Sequence, residues 1–224
     1  ENVKVTMLTS GQWVIKEVLG FNVKDKSILI CSNELHPLQS NIFKVRVKDG
    51  KRTLLDNGEG VHYGKLSPSG NLLVDSYSSP TVTRNINLTN TVSGKSVEIF
   101  TAENPWKDYN VPEITSGSIK AADGVTDLYY RMVKPVDFDP TKKYPTVIYV
   151  YGGPHAHNVE ASRNYYARGW EIYMAQKGYL LFILDNRGSQ YRGIEFENVT
   201  HRQLGVEEMK DQMEGVKFLK SLPY

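Results

Sequence analysis

Two continuous apolar runs separated by a helical pattern constrain the fold of this 224-residue chain most strongly. The runs cover residues 146–151 and 179–184, are rich in β-branched and aromatic side chains, and are each followed by turn-forming residues. Such runs are typical of strands that are covered on both faces. Between them, apolar residues recur at steps of three and four over 162–177, which predicts a helix that ends at Gly178. This order predicts a parallel sheet with right-handed crossovers.

A second helix is predicted near the end of the sequence, over residues 207–222, before Pro223. Its expected inward stripe is formed by apolar residues at helical spacing. The stripe consists of Met209, Met213, Val216 and Leu219.

The first half of the chain carries an internal repeat with an offset of 44 residues. The matching pairs are 28–30 with 72–74, Ile42 with Ile86, and Gly50-Lys51 with Gly94-Lys95. A period in the forties that carries several short strands is typical of β-propeller blades. Two unrelated hairpins that happen to align are the alternative. A closed propeller needs more blades than this segment holds, so we expect further blades upstream.

The strand pattern changes near residue 115, just before Ser116-Gly117-Ser118. We therefore expect the last blades of a propeller over 1–115 and a different domain over 116–224. The second domain is predicted to begin with a hairpin, because Asp123-Gly124 suits a tight turn between residues 119–121 and 128–133.

Composition and charge exclude several classes of partner. The 27 basic and 25 acidic residues give a formal net charge of only +2 and are spread along the chain. No concentrated field exists to attract nucleic acid, and no 18-residue apolar stretch predicts a membrane span. Cys31 lies in an apolar run, which favours a buried small hydrophobe over a reactive thiol. We expect no cofactor, and His155 and His157 without a third ligand make a poor zinc site.

The end of the first apolar run offers a candidate for acyl-transfer chemistry. Tyr151, Gly152, Gly153 and Pro154 stand where enzymes with such a sheet build an oxyanion hole from the loop after an early strand. A phenol donor aimed at the developing oxyanion would stabilise the transition state. The alternative is a turn that these residues need only for backbone shape.

The end of the second run places Asp185, Arg187 and Gly188 in a tight loop. We expect an ion pair between Asp185 and Arg187 that fixes the shape of this loop rather than a direct catalytic role. On the last predicted helix, Asp211 and Glu214 are expected to be solvated or capping charges.

Four motifs in this order carry a family resemblance. They are 146–155 (TVIYVYGGPH), 179–193 (YLLFILDNRGSQYRG), 202–205 (RQLG) and Asp211-Gln212. They resemble consecutive motifs of the prolyl oligopeptidase family, in its dipeptidyl peptidase IV branch, which includes prolyl tripeptidyl peptidases. The resemblance implies β-propeller blades followed by the N-terminal half of an α/β-hydrolase domain. It also implies a serine exopeptidase that removes N-terminal di- or tripeptides ending in proline.

The resemblance assigns roles to single residues. Tyr151 matches the oxyanion-hole tyrosine of the family, and Gly152, Gly153 and Pro154 match residues that shape its loop. By family habit we expect export to a periplasm or cell surface. We also expect a homo-oligomer, because an unpaired sheet edge seeks a partner.

The nucleophile that this resemblance requires has no motif in the chain. Hydrolases of this fold carry serine on a G-x-S-x-G elbow, and no such pattern occurs in the 224 residues. We expect serine, acid and base to lie downstream of residue 224, so that this chain alone is inactive. Two alternatives stay open: a non-catalytic propeller interaction module, and another α/β-hydrolase such as an acylaminoacyl peptidase or esterase.

Overall fold

The computed structural model describes residues 5–224, so the first four residues of the predicted propeller segment lie outside it. The chain divides into two compact units, Glu1–Glu103 and Asn104–Tyr224. Residues 104–113 therefore group with the second unit, although the strand pattern of the sequence changes near residue 115.

Two four-stranded antiparallel sheets make up the first unit as far as it is described. One contains β1 (Ile15–Asn22), β2 (Ser27–Ser32), β3 (Asn41–Arg46) and β4 (Arg52–Leu54), and the other contains β5 (Val61–Leu66), β6 (Leu72–Ser78), β7 (Asn85–Asn90) and β8 (Ser96–Thr101). In both sheets the strands pair in chain order. Because β3 and β7 have the same length and start 44 residues apart, the predicted repeat is confirmed as two copies of one four-stranded sheet.

Equivalent glycines close the third turn of each sheet. Gly50 has φ +69° and Gly94 has φ +73°, in the left-handed region that glycine enters without steric cost. The N–H of Gly50 donates to the carbonyl of Arg46, and that of Gly94 donates to the carbonyl of Asn90, both at 2.8 Å. The sequence repeat thus reflects a repeated turn geometry.

The first unit buries a small apolar cluster that includes Leu29, Cys31, Ile42 and Leu73. Cys31 is 3% exposed, and burial raises the pKa of its thiol to about 12. The thiolate is therefore disfavoured, which confirms Cys31 as a buried small hydrophobe.

In the first unit, His62 is buried among polar groups of β6 and of the segment between β4 and β5. His62 Nδ1 lies 2.9 Å from both carboxylate oxygens of Asp75 and 3.8 Å from Asp56 Oδ2. Its Nε2 lies 2.7 Å from the carbonyl oxygen of Glu59, and its ring stacks on Tyr77 at 4.7 Å. Burial lowers the pKa of His62, but the hydrogen bond to Asp75 and the charges of Asp56 and Asp75 outweigh it, so the pKa is raised.

We expect the first unit to lose stability as pH rises. A raised folded-state pKa means that the contribution of His62 is complete below about pH 6.5 and is lost as pH rises through the folded value. Burial also raises the pKa of Asp56, which acts in the same direction at lower pH. Thermal unfolding between pH 5 and 9 should show this slope, and His62→Gln should flatten it above about pH 6.5. The control is His201→Gln, at an exposed position of the second unit, which should leave the unfolding of the first unit unchanged.

The second unit is one mixed sheet with helices. Its strands pair in the order β11-β12-β10-β9, and the structure shows no helix within residues 5–224 that is long and apolar enough to cross a membrane. The elements are β9 (Ile114–Lys120), β10 (Asp127–Val133), β11 (Thr146–Tyr149), α1 (Gly169–Gln176), β12 (Leu180–Leu184), α2 (Ile194–Asn198) and α3 (Glu207–Ser221). The two apolar runs form β11 and β12, which pair in parallel as predicted, and β9 and β10 form the predicted antiparallel hairpin.

The predicted helix over 162–177 is too long. Helix α1 begins only at Gly169, after a 3-10 turn in which Asn164 and Tyr165 have positive φ. Arg131 supplies a reason, because its Nη1 donates to the carbonyls of Asn158 and Tyr165. A carbonyl held by this guanidinium is directed away from an α-helical bond.

The first half of α3 turns a polar face inward, which corrects Met209 and Met213 of the predicted stripe, whereas Leu219 packs against the apolar core of the second unit as predicted. Met209 and Met213 are 61% and 46% exposed. The buried positions are Glu208, Asp211, Gln212 and Gly215. At Gly215 a Cβ would lie 3.0 Å from Phe182 Cε1, so the helix approaches β12 closely at this point.

An ion pair between Arg131 of β10 and Glu171 of α1 is completely buried. Nε and Nη2 of the guanidinium donate to the two carboxylate oxygens, each at 2.9 Å. The ion pair holds α1 against the sheet. The bonds from Arg131 Nη1 to the carbonyls of Asn158 and Tyr165 hold both ends of the segment 158–165.

Removing the carboxylate should therefore be costly. We expect Glu171→Ala to lower the free energy of unfolding by about 3–5 kcal/mol, because it leaves a buried guanidinium without its counter-charge. Urea denaturation of the second unit measures the change. The exposed pair of Lys217 and Glu214, 2.6 Å apart, is the control: Glu214→Ala should cause a much smaller change. Equal effects of the two substitutions would contradict the expectation.

Candidate active site

The loops that follow β11 and β12 lie side by side. These strands are parallel neighbours, with Tyr149 opposite Ile183 at their carboxyl ends. In α/β sheets ligands bind beyond the carboxyl ends of the strands. The structure thus brings the two predicted loops, 151–154 and 185–188, to one edge of the sheet.

The first loop presents Tyr151 to solvent, with the residue 60% exposed. Gly152 has φ +74°, a conformation in which a side chain is strained. A Cβ on Gly153 would lie 3.7 Å from Tyr151 Cε1, and Pro154 is exposed. The loop therefore turns sharply after the tyrosine and leaves its phenol accessible.

A side chain that the sequence analysis missed connects the two loops. Asn186 Nδ2 donates to the carbonyl of Gly152 at 3.1 Å and to that of Arg187 at 2.6 Å. Its Oδ1 accepts from Gln212 Nε2 of α3 at 2.9 Å. Helix α3 thereby contacts the loop of Tyr151 through one buried amide.

Asp185 and Arg187 do not form the expected ion pair, because each has other partners. The carboxylate of Asp185 accepts from the backbone N–H groups of Asn158 and Val159 and from Asn158 Nδ2, at 2.9–3.0 Å. Burial raises the pKa of Asp185, against the effect of these donors. Asp185 therefore fixes the segment around Asn158 to the end of β12.

Arg187 instead binds Asp211, which is 0% exposed and not the solvated charge that was expected. Nε and Nη2 of the guanidinium each lie 2.9 Å from a different Asp211 oxygen. Asp123 and Glu207 add contacts at 3.2 and 3.0 Å. The hydrogen bonds to Asp211 raise the pKa of Arg187. Glu214, in contrast, pairs with Lys217 at the surface.

Gly188 completes the second loop in a conformation that favours glycine. Its φ is +92°, and a Cβ would lie 2.3 Å from Thr200 Cγ2. Its N–H donates to the carbonyl of Phe196 at 2.8 Å. The next residue, Ser189, is 2% exposed, so its hydroxyl is not presented to a ligand.

Comparison with known proteins gives this edge of the sheet a context. Residues 1–84 match the dipeptidyl peptidase IV (DPP IV) N-terminal region, and residues 165–224 match the prolyl oligopeptidase family. Human dipeptidyl peptidase 8 is 29% identical over 96% of this chain, which spans 25% of that protein. The chain belongs to the prolyl oligopeptidase family of serine peptidases, in its dipeptidyl peptidase IV branch.

Solved structures agree with this family. The chain superimposes with a TM-score of 0.93 and 50% identity on a Bacteroides ovatus protein described as a dipeptidyl aminopeptidase IV, covering 99% of this chain and 32% of that one. For Porphyromonas gingivalis dipeptidyl peptidase 4 the values are 0.88 and 28%, with 99% and 31% covered. These similarities confirm the predicted fold class. The chain spans about a quarter to a third of the relatives that it matches along its whole length.

The histidines near the oxyanion-loop candidate do not gather into a metal cluster. His155 is exposed, and His157 Nε2 lies 3.8 Å from Glu160 Oε2. Within residues 5–224 no three His, Cys, Asp or Glu side chains lie together as metal ligands.

Gly188 provides a test of how tightly the second loop is built. Gly188→Ala should lower the free energy of unfolding by more than Gly124→Ala, because both positions have positive φ but only Gly188 lacks room for a Cβ. The strain of φ alone costs about 1–2 kcal/mol. Thr200→Ser removes the clashing Cγ2 and should recover part of the loss in Gly188→Ala. Urea denaturation measures all four proteins, and no recovery would contradict the steric argument.

Proposed function

We propose that this chain supplies the oxyanion-hole tyrosine and the supporting sheet of a proline-specific serine exopeptidase. The observation that carries the proposal is Tyr151 itself. It is 60% exposed, it stands at the carboxyl edge of β11, and the neighbouring Gly152 carbonyl is held by Asn186 at 3.1 Å. An accessible donor on an anchored loop is what stabilisation of an acyl-transfer transition state requires.

The phenol acts where negative charge develops. When a serine hydroxyl attacks a scissile carbonyl, the carbonyl oxygen becomes an oxyanion, and the Tyr151 O–H donates a hydrogen bond to it. A pre-positioned donor of this kind stabilises the transition state by about 2.7–4 kcal/mol. The substrate carbonyl carries less charge, so the contribution falls mainly on kcat.

The nucleophile, acid and base are proposed to come from chain outside these 224 residues. In support, no G-x-S-x-G pattern occurs in the sequence, and the chain spans only 25% of human dipeptidyl peptidase 8. The isolated chain is accordingly proposed to be inactive. The supporting experiment compares the complete gene product with residues 1–224 on Ala-Pro-p-nitroanilide and Ala-Ala-Pro-p-nitroanilide.

The outcomes of that assay separate the alternatives. Release of p-nitroaniline by the complete gene product alone supports the proposal, and the preferred substrate distinguishes dipeptide from tripeptide release. Cleavage of an acetyl-amino-acyl or simple ester substrate instead indicates another α/β-hydrolase. A complete gene product without activity on any of them indicates a non-catalytic interaction module. Export to a periplasm or cell surface and formation of a homo-oligomer stay predictions.

Removing the phenol hydroxyl should slow the complete enzyme strongly. We expect Tyr151→Phe to lower kcat by about 10²–10³-fold and to leave KM nearly unchanged, since the hydrogen bond is made to the oxyanion. Steady-state kinetics on Ala-Pro-p-nitroanilide measures both constants. The matched control is Tyr173→Phe, because Tyr173 is 57% exposed on α1 and should have no effect. Equal activity of the two variants would overturn the role of Tyr151.

A further inference from the structure

The side-chain amide of Asn186 is held in one orientation. The residue is 2% exposed, its Nδ2 faces the carbonyls of Gly152 and Arg187, and its Oδ1 faces Gln212 Nε2. Exchanging nitrogen and oxygen would bring an acceptor against two carbonyl oxygens. A rotated amide is therefore disfavoured, because each of the three contacts would become a repulsion.

The orientation of Gln212 is fixed in the same way. Its Nε2 also donates to the carbonyl of Leu184 at 3.0 Å, so an exchanged amide would place Oε1 against that carbonyl and against Asn186 Oδ1. Gln212 is 8% exposed and lies on the buried face of α3. The carbonyl at the end of β12 thus sets Gln212, and Gln212 sets Asn186.

The other end of this chain of bonds is the backbone next to Tyr151. Gly152 has no side chain with which to anchor the loop, and its φ of +74° turns the chain away from the strand. Its carbonyl belongs to the residue directly after the tyrosine and accepts from Asn186 at 3.1 Å. Movement of that carbonyl would carry the backbone of Tyr151 with it.

We infer that Asn186 is a positioning residue for Tyr151, and that Gln212 keeps the amide of Asn186 in its working orientation. This inference rests on the proposed function, because it gives the oxyanion donor a second residue through which its position is fixed. Asn186 does not contact the reacting atoms. Its effect on catalysis passes through the place at which the phenol oxygen meets the oxyanion.

The expected kinetic effect is smaller than that of losing the phenol hydroxyl. A displacement of about 1 Å in a catalytic group costs up to about 10²-fold in rate. We expect Asn186→Ala to lower kcat of the complete enzyme about 10–100-fold, with KM changed less than about 2-fold, because positioning of the oxyanion donor acts in the transition state.

A double-mutant cycle with Tyr151→Phe separates positioning from general destabilisation. If Asn186 acts through the Tyr151 hydroxyl, Asn186→Ala should cause no further loss of kcat once that hydroxyl is absent. The matched control is Asn158→Ala, which removes another buried amide beside the same strand end. Any loss that it causes should be the same in both backgrounds.

Gln212→Glu supplies a second variant in case Asn186→Ala fails to fold. A glutamate has no donor when ionised and only one when protonated, so it cannot replace the two bonds that Gln212 Nε2 donates to the Leu184 carbonyl and to Asn186 Oδ1. We therefore expect kcat to fall in the Tyr151 background and to stay unchanged in the Tyr151→Phe background. Circular dichroism of each variant verifies folding before kinetics.

The outcomes distinguish the role of Tyr151 from the positioning roles of Asn186 and Gln212. Suppose that Tyr151→Phe lowers kcat and that the Asn186 and Gln212 substitutions lower it by the same factor in both backgrounds. This result overturns the inference on Asn186 and Gln212 but leaves the role of Tyr151 intact. Unchanged kcat in Tyr151→Phe overturns both. The inference is supported if the Asn186 and Gln212 substitutions lower kcat only when the Tyr151 hydroxyl is present, while Asn158→Ala has the same effect on kcat in both backgrounds.

Discussion

The buried pair of Arg187 and Asp211 is the interaction on which the second unit's functional edge depends. It connects the end of β12 with α3, and Asp211 Oδ1 also accepts from the backbone N–H of Ala122 at 3.0 Å, in the turn of the β9–β10 hairpin. The backbone N–H of Arg187 donates to the same carboxylate at 3.0 Å. One fully buried carboxylate thus joins three separate parts of the chain.

Burying these charges is favourable only because the network is nearly complete. A carboxylate removed from water loses several kcal/mol of hydration, and only good geometry with additional hydrogen bonds compensates for it. Asp211 receives two guanidinium and two backbone donors, while Arg187 also meets Asp123 and Glu207. Such a site tolerates one arrangement of its parts. The network of Arg187 and Asp211 therefore fixes the shape of the loop after β12 rather than adding much to the free energy of unfolding.

The regular elements could be predicted because their signals are local. The apolar run of β12 lies entirely in the core, with exposures of 0–2%, and the Gly50 and Gly94 turns repeat with the strands that they join. Asp123-Gly124 is a turn signal that depends on its own backbone. In these cases the residues that decide the structure are neighbours in the sequence.

The polar interior could not be predicted in the same way. An amphipathic pattern with Met209 and Met213 inside is as regular as the observed one, and only contact with distant groups decides between them. Asp211 is 24 residues from Arg187 and 89 from Ala122. One signal was available: Glu208, Asp211, Gln212 and Gly215 recur at steps of three and four, so a polar stripe with a glycine competes with the apolar one. The polar stripe is favoured only because Arg187 and Asn186 face it in the folded structure, and the sequence of α3 does not show this.

The adjacent residues Asp211 and Gln212 show why the scaffold and the candidate site belong together. Asp211 holds Arg187, and Gln212 holds Asn186, the residue that precedes it. Two neighbouring positions on α3 are thus hydrogen-bonded to two neighbouring positions after β12.

Because Gly215 lets the same helix approach Phe182 closely, the distance between α3 and β12 is set by packing. Any change in that distance acts on Asn186 and, through the carbonyl of Gly152, on the backbone of Tyr151. The stability of α3 on the sheet and the position of the phenol are therefore two consequences of one contact.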